Sequence, residues 1–184
     1  MARTPSNMLP LGTQAPNFNL LDTVSNNWVS LENLKGSTAT VIMFICNHCP
    51  FVIHVHSQLI QLALDYKSKG INFVAISSND ANTYPDDGPT QMAELAKKLN
   101  FPFPYLYDET QAIAKLYQAA CTPDFYVFDE NLKSTYHGQI DASRPGNNQP
   151  LNGNSMRNAL DLTLQKKPVP TPYLPSIGCN IKWK

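Results

Sequence analysis

The spacing of hydrophobic residues along the chain changes period near residue 50. Residues 38–45 read TATVIMFI, a short apolar run rich in β-branched residues that is typical of a buried strand. From Pro50, apolar residues recur at helical spacing up to Gly70, and INFVAIS at 71–77 has the composition of a second buried strand. Strand, helix and strand in succession predict a βαβ unit with parallel strands and a right-handed crossover.

The remaining segments continue this alternation. In chain order they predict a polar loop at 77–89, a helix at 90–100, a strand at 104–108, a helix at 109–119, two hairpin strands at 124–129 and 134–141, and a last helix at 155–167. An N-terminal hairpin is expected within residues 11–34, before the βαβ unit. The pattern is that of an α/β fold, and the length fits one domain over residues 1–184.

Composition argues against several kinds of partner. Hydrophobic residues make up 42% of the chain and charged residues 15%, as is typical of a globular protein. Lys plus Arg and Asp plus Glu both number 14, so nothing indicates binding to nucleic acid or to an anionic membrane. The N-terminus lacks a signal-peptide pattern, and no apolar run approaches the roughly 18 residues of a membrane span. We therefore expect a cytoplasmic protein, in which four cysteines favour redox or metal chemistry over structural disulfides.

Two of the four cysteines lie in FICNHCPFV, residues 44–52, at the turn from the first strand into its helix. Unpaired N–H groups at a helix N-terminus stabilise a thiolate. We therefore expect Cys46 to have a lowered pKa, and to be the more exposed and the more readily alkylated thiol. His48 adds to this stabilisation when it is protonated, which makes the couple more oxidising. Cys49 can close a disulfide with Cys46 within the turn.

Two other interpretations of this cysteine pair remain open. The thiols are inert if they are simply part of a buried core. Alternatively, Cys46 and Cys49 supply four ligands for zinc together with His54 and His56. Residues 54 and 56 project about 200° apart on a helix, which disfavours the zinc site. We therefore expect no bound metal.

A second signal is ACTPDFYVFD at 120–129, where a Thr-Pro dipeptide precedes an apolar strand. Proline cannot donate a hydrogen bond to a sheet and is confined to strand starts and edges. One interpretation is a cis bond between Thr122 and Pro123 that places the backbone beside the cysteine pair. The other is a trans proline that opens an edge strand.

These motifs together resemble the thioredoxin-like superfamily. GTQAPNFNL and VSLENLKG match the N-terminal extension of its peroxiredoxin-like branch, the alkyl hydroperoxide reductase/thiol-specific antioxidant redoxin proteins. The resemblance implies a thioredoxin-like fold: a central mixed sheet flanked by helices, with an N-terminal hairpin extension and a docked C-terminal tail. It also implies that Cys46 is the nucleophile, Cys49 its resolving partner and Pro123 a cis-proline. His48 matches the histidine of the CxHC motif in protein disulfide isomerases.

The chain departs from both branches of this superfamily. Thioredoxins have a tryptophan before the nucleophile and a buried carboxylate six residues before it, where this chain has Ile45 and Thr40. Aligning Cys49 on the peroxiredoxin cysteine puts Cys46 and Ile42 where that family has threonine and proline. The strand at 124–129 also lacks the peroxiredoxin arginine. Because peroxide cleavage needs donors that stabilise developing charge, we expect weak peroxidase activity.

We interpret the pattern as that of a thiol–disulfide oxidoreductase. Cys46 attacks the disulfide of a protein or small molecule, Cys49 resolves the mixed disulfide, and a cellular thiol reductant restores the couple. One alternative is a peroxiredoxin-like thiol peroxidase, in which a hydroperoxide oxidises Cys46 or Cys49 to a sulfenic acid that another cysteine traps. Another is a non-catalytic module that binds a metal or a partner through the same loop. We expect no cofactor.

The last two cysteines lie outside this motif. Cys121 precedes the Thr-Pro pair, and Cys179 lies in the proline-rich tail at 168–184, where Ile177 and Trp183 offer apolar surface. We expect the tail to pack on the domain and to bring Cys179 near Cys121, giving a second redox pair. The alternative is one thiol buried in the core and one fixed in the tail, with no shared role.

Overall fold

Strands and helices alternate along the chain much as the hydrophobic pattern predicts. The computed structural model describes residues 3–184. The strands are β1 (Arg3–Pro5), β2 (Asn19–Asp22), β3 (Asn27–Ser30), β4 (Ala39–Phe44), β5 (Ile71–Ser77), β6 (Tyr105–Tyr107), β7 (Cys121–Thr122), β8 (Asp124–Asp129), β9 (Ser134–His137) and β10 (Ile177–Asn180). The helices are α1 (Leu31–Leu34), α2 (Pro50–Lys67), α3 (Pro89–Leu99), α4 (Ala112–Leu116) and α5 (Asn154–Leu164), with a 3-10 helix at Pro85–Asp87. No helix in the described range is long and apolar enough to cross a membrane.

Seven of the strands form a central mixed sheet in the order β3-β2-β6-β5-β4-β8-β9. Strands β4, β5 and β6 run parallel, and β4 is joined to β5 by helix α2, which confirms the expected βαβ unit. Strand β8 pairs antiparallel with β4 on the other side. The N-terminal hairpin is formed by β2 and β3, which extend the sheet at one edge. The expected mixed sheet flanked by helices is confirmed.

Alternating side chains of β4 build two hydrophobic layers. Val41 and Met43 pack with residues of α2 and α5 on one face of the sheet. Ile42 and Phe44 pack with residues of α1 and α4 on the other. All six residues of β4 are buried, which explains why the strand is a continuous apolar run in the sequence. The cysteine loop therefore follows directly on a completely buried central strand.

The helix expected at 109–119 is shorter in the structure because Gln111 turns the chain. Gln111 has a φ of 63°, in the left-handed region, and α4 begins after it. Its side-chain amide donates hydrogen bonds to the carbonyl oxygens of Ser78 and Lys182. These long-range bonds outweigh the local helical pattern, which is only a weak preference.

The tail forms part of a second, three-stranded sheet that the sequence pattern did not predict. Strand β10 pairs antiparallel with β7 on one side and with β1 on the other. Earlier in the tail, the carbonyl oxygen of Leu174 accepts a hydrogen bond from the backbone N–H of Gln139. At Gln139 the chain therefore pairs with the tail and no longer with the hairpin. Strand β9 ends at His137, whereas the sequence predicted a strand that reaches residue 141. The tail packs against the rest of the chain, as expected.

Gly178 lets β10 lie directly against the backbone of Thr122. A Cβ atom built at residue 178 would lie 1.9 Å from the carbonyl oxygen of Thr122, far inside van der Waals contact. The contact atoms belong to the backbone, so they cannot move aside as a flexible side chain does. Only glycine allows this approach of the tail.

We expect Gly178→Ala to displace β10 and to lower the free energy of unfolding by about 3 kcal/mol, the upper end of the usual cost of overpacking. Gly146→Ala is the control, because a Cβ there meets open space and the substitution affects only a positive φ of 80°. The control substitution is expected to lower the free energy of unfolding by about 1 kcal/mol. Denaturant titrations of both variants measure the difference, and equal losses would contradict the steric role of Gly178.

Candidate active site

The cysteines at 46 and 49 lie on the loop between β4 and α2, as the sequence predicts. Cys49 is the N-cap residue of α2, and Pro50 is the first helical residue. Proline suits that position because the first N–H of a helix has no intrahelical partner. The exposed fraction is 1% for Cys46 and 0% for Cys49. Both thiols are therefore buried, and the expectation that Cys46 is distinguished by its exposure is wrong.

The Thr122–Pro123 peptide bond is cis and faces the cysteine loop. The hydroxyl oxygen of Thr122 lies 3.4 Å from the sulfur of Cys46. Its carbonyl oxygen lies 3.2 Å from the sulfur of Cys49 and accepts a hydrogen bond from that thiol when it is protonated. Of the two interpretations of the Thr-Pro dipeptide, the structure thus supports a cis bond beside the cysteine pair.

A buried carboxylate, that of Asp87, holds the loop between the two cysteines. Its Oδ1 atom accepts hydrogen bonds from the backbone N–H groups of Asn47, at 2.7 Å, and of His48, at 3.3 Å. Its Oδ2 atom accepts a bond of 2.7 Å from the side chain of Asn79. Such bonds offset the cost of burying a charged group. Asp87 therefore fixes the backbone on which both cysteines sit.

Asp87 was not among the residues predicted for the site. The segment at 77–89 is polar and rich in turns, and carboxylates are common in such loops. Asp86 and Asp87 are adjacent in the sequence, yet Asp86 is exposed and Asp87 is completely buried. No local signal distinguishes them, because the difference arises from how the 3-10 helix docks onto the cysteine loop.

His48 pairs with Asp87 and not directly with a thiol. Its Nδ1 atom lies 2.6 Å from Oδ2 of Asp87, and its ring stacks on Tyr84 with ring centroids 5.4 Å apart. A ring nitrogen of His48 also lies within 4.8 Å of the sulfur of Cys46. A protonated His48 is therefore close to both Cys46 and a carboxylate of opposite charge, which reduces the stabilisation it can give to a Cys46 thiolate.

The pKa values of the two thiols are shifted in opposite directions. The pKa of Cys46 is raised, first because its thiol is hydrogen-bonded to Cys49, then by burial and by the nearby carboxylate of Asp87. The pKa of Cys49 is lowered to about 5, mainly by the hydrogen bond from Cys46 and further by hydrogen bonds from Cys179, although burial opposes the shift. The expectation that Cys46 has the lowered pKa is therefore wrong, since the shift at Cys46 is upward.

Cys179 and Cys121 lie on neighbouring strands but face in opposite directions. Cys179 stands opposite Thr122 and Cys121 opposite Asn180 in the β10–β7 register. Adjacent residues of a strand project to opposite faces, so the two side chains diverge. The thiol of Cys179 is hydrogen-bonded to Cys49, whereas that of Cys121 points to the carbonyl oxygen of Pro123, 3.6 Å away. The structure therefore does not bring together the expected pair of Cys121 and Cys179, and it shows no disulfide.

The zinc site considered from the sequence is not assembled in the described residues. His54 is hydrogen-bonded to Ser143 at 2.8 Å, and the ring of His56 packs on Phe101. A different group, Cys46, His48 and Asp87, has its ligand atoms within 4.8 Å of one another. These are residue types that zinc accepts. The direct 2.6 Å contact between His48 and Asp87 leaves no room for an ion between them as they stand.

The mixed sheet, the cysteine pair at the start of α2 and the cis-proline facing it define a thioredoxin-like fold. Residues 11–137 match the model of the AhpC/TSA family, and the chain therefore belongs to that family. Members of this family are thiol oxidoreductases and peroxidases, so the protein is an enzyme of the redox kind. No curated protein shows significant similarity to the chain.

Solved structures of similar chains agree with this fold. An uncharacterized conserved protein from Geobacillus kaustophilus is 59% identical, with a TM-score of 0.98 and coverage of 100% of this chain and 97% of that one. A hypothetical protein from Sinorhizobium meliloti is 44% identical, with a TM-score of 0.95 and coverage of 98% of both chains. The thioredoxin domain of a thiol-disulfide oxidoreductase from Bacteroides vulgatus is 17% identical, with a TM-score of 0.63 and coverage of 82% and 97%. This last likeness concerns the fold alone.

We expect the ultraviolet absorbance of reduced protein to show one thiolate that appears as the pH rises through about 5, the pKa of Cys49. Cys49→Ser should lose this transition. Cys46→Ser should keep it at a higher pH, since the strongest cause of the low pKa is the hydrogen bond from Cys46. Cys121→Ser serves as the control and should titrate like the wild type. A transition that survives in Cys49→Ser and disappears in Cys46→Ser would reverse the assignment.

Asp87→Asn should lower the pKa of Cys46, because the carboxylate of Asp87 is one of the groups that raise it. The substitution keeps the size of the side chain but weakens charge-assisted hydrogen bonds to the loop, at a cost of about 2 kcal/mol in unfolding free energy. Asp86→Asn is a matched control, since its carboxylate is exposed. Thiol titration and denaturant unfolding measure the two effects. If Asp86→Asn and Asp87→Asn behaved alike, Asp87 would have no special role.

Proposed function

We propose that the protein is a thiol–disulfide oxidoreductase whose redox couple is formed by Cys46 and Cys49. The observation that carries the proposal is that both sulfurs contact one residue, Thr122, which faces the cysteine loop. The sulfur of Cys46 lies 3.4 Å from its hydroxyl oxygen, and the sulfur of Cys49 lies 3.2 Å from its carbonyl oxygen. Membership of the AhpC/TSA family supports thiol redox chemistry in general.

The charge distribution suggests the order of steps. The thiolate of Cys49 attacks one sulfur of a substrate disulfide, which breaks the substrate S–S bond and releases the first substrate thiolate. Cys46 then gives its proton to the released thiolate and attacks the sulfur of Cys49. This forms the Cys46–Cys49 disulfide and expels the second substrate thiolate, so that two electrons pass from the couple to the substrate. The proposed order reverses the roles of nucleophile and resolving cysteine expected from the resemblance.

The surface beside the couple favours a peptide disulfide as substrate. A small cleft adjoins Pro123. Its apolar lining includes Phe51, Phe125, Ile140 and Ile177, and its polar lining comes from His54, Gln139, Ser143, Arg144 and Ser176. Apolar side chains next to a redox loop provide contact area for the residues that flank a substrate cysteine. Both sulfurs are buried, so the loop at 45–49 must open when a substrate binds. A cellular thiol then returns the couple to its reduced form.

Hydroperoxide reduction is a second candidate, favoured by the lowered pKa of Cys49 at the start of a helix and by the family. In that reaction the Cys49 thiolate attacks the O–O bond, gives a sulfenic acid and releases water or an alcohol. In the described residues no hydrogen bond joins an arginine to either thiol, and Arg144, which lines the cleft beside Pro123, donates instead to Asp141, Ser143 and Gln139. Without such a donor the developing charge is poorly stabilised, which favours disulfide exchange.

The test compares insulin disulfides and hydrogen peroxide as substrates, with glutathione as the reductant. We expect the protein to accelerate insulin reduction, Cys49→Ser to lose the activity and Cys46→Ser to lose most of it. Cys121→Ser should keep it, because that buried thiol lies outside the couple. Peptide mapping of oxidised protein should find the Cys46–Cys49 disulfide. Consumption of peroxide without insulin reduction would overturn the proposal in favour of a peroxidase.

A further inference from the structure

The C-terminal strand brings a third thiol to the couple. Cys179 lies in β10, which packs against helix α2, and it is 2% exposed. Its thiol is hydrogen-bonded to the sulfur of Cys49, and so is that of Cys46. Cys49 is therefore flanked by two thiols, one from its own loop and one from a segment more than a hundred residues away in the chain.

Thr122 explains why the three sulfurs meet. Its hydroxyl touches Cys46, its carbonyl oxygen touches Cys49, and its position in strand β7 is directly opposite Cys179. Directly opposed residues of antiparallel strands project to the same face, so Cys179 faces the couple. The glycine at 178 allows β10 to approach closely enough for this contact.

Cys121 offers a comparison, because it is a buried thiol on the neighbouring strand whose side chain is not hydrogen-bonded to the couple. It is fully buried, and its pKa is raised by burial and by the carboxylate of Asp124. Its hydrogen bond goes to a backbone carbonyl oxygen, that of Pro123. Cys179 is also buried, but its thiol is hydrogen-bonded to a sulfur that belongs to the proposed redox couple.

We propose that Cys179 is a third redox-active thiol, which exchanges with the Cys46–Cys49 disulfide to form a Cys49–Cys179 disulfide. The proposal rests on the proposed function of the couple. Cys179 loses its proton and attacks the sulfur of Cys49, the Cys46–Cys49 bond breaks, and the released Cys46 thiolate takes up the proton. The number of disulfides is unchanged, so the exchange needs no external oxidant or reductant.

This exchange gives the enzyme two oxidised forms. In one form the disulfide lies within the loop and restrains both cysteines. In the other, Cys46 is again a thiol and the disulfide ties α2 to the tail. The same geometry lets Cys179 resolve a mixed disulfide on Cys49 directly, in place of Cys46. The substrate class is then any disulfide that forms an adduct on Cys49.

The test uses two double variants of the full chain treated with oxidised glutathione. Cys46→Ser with Cys121→Ser leaves Cys49 and Cys179, whereas Cys46→Ser with Cys179→Ser leaves Cys49 and Cys121. We expect a glutathione adduct on Cys49 to disappear at least about tenfold faster in the first, because the neighbouring thiol attacks intramolecularly. Peptide mapping should then find the Cys49–Cys179 disulfide. Equal adduct lifetimes, with no such disulfide, would overturn the proposal.

Acid-quenched mapping of oxidised wild-type protein distinguishes this proposal from the function on which it rests. Both the Cys46–Cys49 and the Cys49–Cys179 disulfides are expected. If only Cys46–Cys49 is found at all times, the third thiol is structural and the proposed couple still stands. If neither bond forms, the proposed function fails, and the role of Cys179 fails with it.

Discussion

The contact between the backbone of Thr122 and the sulfur atoms of the redox loop is the constraint on which the rest of the site depends. It requires a residue whose hydroxyl and carbonyl both face the loop, and a tail that can lie against its other side. Gly178 meets the second requirement, because a Cβ there would overlap the carbonyl oxygen of Thr122. The pairing of β10 with β7 then fixes Thr122 and the tail in one arrangement.

Electrostatics within this arrangement separates two negative charges. The carboxylate of Asp87 and the thiolate of Cys49 are both buried. In the protein interior a charge is costly unless it is hydrogen-bonded. Asp87 is satisfied by the loop backbone, and Cys49 by the thiols of Cys46 and Cys179. The pKa of Cys46 is raised first by its hydrogen bond to Cys49, then by burial and by the nearby carboxylate of Asp87. The order of the two pKa values thus follows from which neighbours each sulfur has, although both lie at the same helix N-terminus.

The docked tail connects this site to the fold as a whole. The part of this chain that matches the family model ends at residue 137, so Cys179 lies outside the matched region. The structures from Geobacillus kaustophilus and Sinorhizobium meliloti nevertheless match almost the whole chain, including its C-terminal part. The tail is therefore a regular part of this architecture, and its packing on α2 and β7 gives it a direct contact with the proposed couple.

The sequence by itself determined the βαβ unit, the position of the cysteine pair and the presence of Thr-Pro before a buried strand, because each depends on hydrophobic period and local backbone chemistry. It led to wrong expectations for the exposure and pKa of Cys46 and for the partner of Cys179. Those properties depend on Asp87 and on the register of β10, which reach the loop from distant parts of the chain. Strand alternation alone decides that Cys179, and not Cys121, faces Cys49. Such contacts exist only once the sheets are assembled, so the tertiary structure decided them.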